Sequence, residues 1–110
     1  MQKFSLQAMA RELLERARDG SPDRTATTVL GGHEKVLRQT VIAMRSGAIL
    51  GEHENPGEAS IHVLVGRVRL SAGQDSWEGR AGDLLEVPPS PHSLHAVEDS
   101  AVLLTVAKLP

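Results

Sequence analysis

Residues 47–66 read GAILGEHENPGEASIHVLVG, and this stretch decides the fold. Glycines close both ends, and two runs suited to a pleated chain, Ile49 to His53 and Ser60 to Val65, flank the turn former Asn55-Pro56-Gly57. Proline fixes φ and has no N–H to give a ladder, and glycine accepts the backbone angles of a reversal, so the segment reads as strand, turn, strand. His53 and Asn55 stand two apart at a strand end, so they are expected to leave the same face, as a β scaffold presents paired ligands to one ion.

The same texture extends in both directions from this segment. From Val29 onward, short runs of Val, Ile, Leu and Thr are punctuated by Gly and Pro about every ten residues, the pattern of an all-β sandwich or barrel. Upstream, Val36 to Met44 is a strand ended by Ser46-Gly47. Downstream, Arg67-Val68-Arg69-Leu70 alternates strictly, so one face should be wet and one buried. A hairpin at Ala72-Gly73-Gln74-Asp75 leads to Ser76–Glu78 and Asp83–Val87. Then comes Pro88-Pro89-Ser90-Pro91, which cannot sit in a central ladder, followed by His92–Val97 and Ala101–Ala107. Five or six main strands are expected among these segments.

Before them, Leu6, Met9, Ala10, Leu13, Leu14 and Ala17 recur at helical spacing, with charged residues between, which predicts an amphipathic helix from an N-cap at Ser5 to Asp19. Gly20 is suited to a left-handed cap and Pro22 to a stop. Residues 1–28 are therefore read as a helix and polar linker, and residues 29–110 as the β domain. The helix must bury its apolar stripe against its own barrel or a second copy.

With 110 residues, the chain fits one core. It has no cysteine, which removes a disulfide frame, a thiolate metal site and a thiol nucleophile, so any metal must sit on nitrogen and oxygen. Twelve basic and fourteen acidic side chains, unclustered, provide no positive field for nucleic acid. Phe4 and Trp77 cannot build a stacking platform for bases or sugars, which points to a non-aromatic ligand; Trp77 is expected in the core or at a dimer contact. No apolar run approaches the roughly eighteen residues that span a bilayer and no leader pattern is seen, so no membrane partner is expected and the expected compartment is the cytoplasm.

The candidate chemistry reduces to His33, His53, His62, His92 and His95 and nearby carboxylates. Strand parity sets His62 on the opposite face from His53, and His95 away from His92. His33 lies in a solvated loop, and Arg67 and Arg69 are read as a wet strand face.

Two spaced motifs resemble those of the cupins, small double-stranded β-helix barrels. Gly47, five residues, His53-Glu54-Asn55, Ala59 and Gly66 fit the first motif's frame, with Asn55 in the second histidine slot and Ala59 in the glutamate slot. Gly82, five residues, Pro88 and His92 resemble the second, with Ala96 in its asparagine slot. The resemblance implies a cupin jelly-roll barrel carrying one N-terminal helix, and a homodimer. It also implies a metal site, in which His53 and His92 remain of the usual three histidines and one glutamate. Glu58 is the candidate third ligand if the Pro56-Gly57 turn slips the register by one residue. One divalent ion, iron, manganese, nickel or zinc, is the cofactor this would hold.

Three function classes stay open, and no catalytic residue is assigned. In the first, a pocket of His53, Asn55, Ile61, Val63, His92 and Leu94 binds a small non-aromatic metabolite without chemistry, its histidines partnered by hydrogen bonds. In the second, a cupin-type dioxygenase or isomerase uses a metal held by His53, His92 and Glu58. A dimeric structural or regulatory partner is a third reading, since fold alone does not give function.

Overall fold

The computed structural model describes all residues except 1, 21, 55, 56, 109 and 110, and describes His53 by its backbone. Helix α1 spans Leu6–Asp19, and the Ser5 hydroxyl caps it by accepting from the Ala8 N–H at 3.2 Å. Nine strands follow among the described residues: β1 Arg24–Leu30, β2 Leu37–Met44, β3 Ile49–His53, β4 Gly57–Val65, β5 Arg67–Ala72, β6 Asp75–Arg80, β7 Leu84–Glu86, β8 His92–Ala96 and β9 Ser100–Lys108. They form two antiparallel sheets, β1-β2-β9-β4-β7 and β3-β8-β5-β6, which enclose one core as a jelly roll. Among the described residues no helix is long and apolar enough to cross a membrane.

The five-stranded sheet is apolar on both faces, and this explains its nearly unbroken hydrophobic strands. On β2, Ile42 and Met44 enter the core between the sheets, while Val41 and Ala43 face the helix. On β9, Val102 and Leu104 point inward, and Ala101 and Leu103 lie under Ala10, Leu13, Leu14 and Ala17. Alternation of side chains along a strand sends successive residues to two different cores, each leucine so buried contributing roughly 1.5–3 kcal/mol. The helix therefore covers its stripe with its own sheet. A stripe needing cover is one ground for expecting a second copy, and here that need is already met.

Two expectations are corrected, and a third, the placing of Trp77, loses one of its two alternatives. Residues 24–28, read as polar linker, belong to β1, which pairs from Arg24↔Met44 to Thr28↔Thr40 and brings the strand count to nine. The hydroxyl of Thr25 donates to the Leu13 carbonyl at 2.8 Å, so a polar side chain is spent on fastening the strand to the helix. Gly20 is extended (φ −112°, ψ 170°) rather than left-handed. A glycine suits it for another reason: a Cβ there would stand 2.8 Å from the Arg16 carbonyl oxygen. Trp77 is outside the core, 46% exposed on the edge strand β6.

The turn between β4 and β5 holds the two sheets together. Gly66 has φ +83°, and its missing side chain makes room for the backbone at Asp99 and Ser100. The Ser100 hydroxyl, fully buried, accepts from the Arg67 N–H at 3.0 Å and reaches the Glu98 carbonyl at 2.8 Å, so this close approach leaves no polar group stranded.

Candidate functional site

Strands β3 and β8 bring together the two histidines that the sequence singles out. Their antiparallel register pairs Ile49 with His95 and Leu50 with Leu94, shifts by a bulge, and resumes with His53 opposite His92. Partners in such a ladder have Cα atoms about 4.5–5.5 Å apart. Residues far apart in the chain thus become neighbours at one end of the four-stranded sheet.

His92 is 3% exposed. Along β8 His92, Leu94 and Ala96 are buried and Ser93 and His95 are half-buried, so His92 shares the inward face with the core residues. Its Nδ1 lies 2.9 Å from the Ser90 carbonyl oxygen. A carbonyl only accepts, so Nδ1 carries the proton and, in the neutral ring, Nε2 is the acceptor atom. The prolines at 88, 89 and 91 hold this segment through their fixed φ.

The His92 ring lines a cavity of about 20 Å³, room for about one water. The other walls are aliphatic: Leu50 and Leu94 from the four-stranded sheet, and Ile42, Ile61, Val102 and Leu104 from the five-stranded one, closed by Val87. Of the expected pocket residues, Ile61, His92 and Leu94 line it. Val63 is buried deeper in the core and does not. Asn55 lies outside the described residues, as does the side chain of His53.

The Glu58 expectation needs correcting, because no register slip carries it inward. Glu58 pairs with Ala107 and is exposed, while Ala59 and Ile61, one and three residues on, pack toward the core. His62 is half-buried on the face opposite Ile61, His95 alternates away from His92, and His33 is exposed. Among the described residues no three His, Cys, Asp or Glu side chains gather as a metal site. The described donor set, one imidazole among aliphatic walls, does not fit the three-histidine and glutamate centre of metal-bound cupins.

Elsewhere two carboxylates are held by partners. Arg67 and Arg69 are not simply wet: both reach Glu78, at 3.0 and 3.2 Å, and their hydrogen bonds, Arg67's the larger, hold its carboxyl below the usual carboxylate range. The Asp99 carboxyl is lowered by the Ser46 N–H first and the Arg18 guanidinium second.

Neither a protein-family model nor a curated protein matches the chain. Among solved structures it is similar to a conserved protein of unknown function from Streptococcus pyogenes, with 27% identity over 83% of this chain and 79% of that one and a TM-score of 0.74. It is also similar to an RmlC-like cupin from Desulfovibrio desulfuricans, at 26% identity over 76% and 81% of the two chains, with a TM-score of 0.67. The same fold covers 34% of a salicylate 1,2-dioxygenase variant from Pseudoaminobacter salicylatoxidans, matching 94% of this chain at 19% identity with a TM-score of 0.78. Two sheets in jelly-roll order, the glycine-bounded motifs and these likenesses agree: the chain has the fold of the small RmlC-like cupins.

Proposed function

We propose that the barrel interior binds a small non-aromatic metabolite, with His92 as its polar handle, and carries out no metal chemistry. The observation that carries this reading is a buried, tautomer-fixed imidazole set into a wall that is otherwise aliphatic. A pocket with one oriented polar group among apolar ones is the usual form of a small-molecule site. The narrow cavity sets the scale of what enters: a methyl or a short aliphatic end, with the rest of the ligand toward the His53 end of the sheet.

The metal-dependent enzyme is the second reading, favoured by the backbone pairing of His53 with His92. Elemental analysis of protein purified without an affinity tag separates the two. A blank for iron, manganese, nickel and zinc, with a thermal shift from small aliphatic metabolites that His92→Ala abolishes, is the expected result. Near-stoichiometric metal that falls away in His92→Ala would overturn the binding-module reading.

A further inference from the structure

Arg38 has no assigned role, and its surroundings are unusual for an arginine. On β2, Ile42 and Met44 face the barrel core and Val41 and Ala43 face the helix, so strand alternation places Arg38 and Thr40 on the barrel side. The ladder across β2, β9 and β4 is unbroken there. Arg38, Val106 and Ala59 form one row, and Thr40, Leu104 and Ile61 the next. Leu104 and Ile61 line the cavity, so Arg38 starts the row that adjoins its rim.

Arg38 is half-buried, and its guanidinium is held on one side. The backbone at Gly31 lies against the Arg38 stem, with a Cβ there falling 3.7 Å from Arg38 Cγ, and one Nη donates to the Gly32 carbonyl at 3.2 Å. Its Nε is shielded from solvent and has no hydrogen-bond partner. None of the ion pairs among the described residues includes Arg38. A buried N–H on a permanent cation without an acceptor is costly, and such a group in a native fold asks for one.

We infer that Arg38 is the carboxylate-reading residue of this barrel, and that the ligand is a short aliphatic carboxylate whose oxygens take the Arg38 fork while its chain lies over Leu104 and Ile61. The inference rests on the reading of the barrel interior as a ligand pocket. The edge of a guanidinium presents two parallel N–H groups that match a planar carboxylate. One cation beside aliphatic rows suits a monoanion with a hydrocarbon body rather than a phosphate, which calls for more charge and more donors.

Titration of the full chain with sodium butyrate, with butanol as the uncharged match and inorganic phosphate as the competing oxyanion, tests this by the Arg38 Nε–Hε NMR cross-peak and the Leu104 and Ile61 methyl signals. Butyrate is expected to move all three saturably and Arg38→Lys to weaken its binding about tenfold or more, while butanol binding is unchanged by that variant. Butyrate bound equally well by Arg38→Lys would overturn the role of Arg38 and leave the pocket standing. Phosphate as effective as butyrate would overturn the carboxylate assignment. Methyl signals that respond to neither butyrate nor butanol would sink the pocket itself. The wild-type cross-peak decides the matter even if the variant fails to fold.

Discussion

The imidazole of His92 donates through Nδ1 to the Ser90 carbonyl two residues before it, at 2.9 Å. Replacing His92 by Ala therefore removes a buried ring and leaves that carbonyl without its donor. The variant is expected to lose about 2–4 kcal/mol of unfolding free energy in urea. A loss under about 1 kcal/mol would mean that the ring is not packed as described.

Gly66 closes the first motif and sits at φ +83°. Any Cβ there would overlap the Asp99 carbonyl oxygen and the Ser100 hydroxyl and come within 2.9 Å of Ser100 Cα. Backbone cannot step aside as a flexible side chain can. Gly66→Ala should cost about 3 kcal/mol or more, or abolish soluble expression. Gly47→Ala, where nothing lies within 4 Å of the added atom, should cost clearly less, since only its φ of +90° opposes it. Equal losses in the two variants would contradict the close approach.

Asp99 accepts from the Ser46 N–H at 2.8 Å and from Arg18 at 2.9 Å, and both bonds favour its charged form. The folded-state pKa lies below the unfolded one, so the stabilisation is present above about pH 4 and is lost as pH falls through the folded value. Asp99→Asn keeps an acceptor and loses the charge. The stability gap between wild type and this variant should close as urea titrations move from pH 6 to pH 3. A gap independent of pH would show that the pair does not hold the helix end.

Leu13 is buried between the helix and the outer face of the five-stranded sheet, and its carbonyl accepts from Thr25. Leu13→Ala should cost about 2–4 kcal/mol in thermal or urea unfolding. Thr25→Val, which removes the hydroxyl at similar volume, should cost about 1 kcal/mol. A silent Leu13→Ala would mean that the helix is not seated on this sheet in solution.

The sequence made the helix legible because a capping serine and an apolar stripe at helical spacing agree with each other. The strands from β2 to β9 were legible because β-branched runs fall between turn formers. Strand β1 was not. Its Thr-rich, partly charged residues look like linker, and what makes them a strand is tertiary: a ladder with β2 and the helix above. At the site, parity correctly took His92 and Ile61 inward and His62 outward, but register is set by the whole ladder, and it keeps Glu58 in the solvent. Arg38 was missed because a lone charge in a strand normally reads as a wet position. The signal was there in Ile42 and Met44, which repeat at intervals of two from it and enter the core.

The carbonyl that fixes the His92 ring belongs to the same proline-flanked stretch as the histidine itself, not to the opposite wall. Aim and aiming device therefore travel as one rigid unit. If the two walls spread to admit a guest larger than a methyl group, the imidazole keeps its bearing, because the group that aims it moves with it.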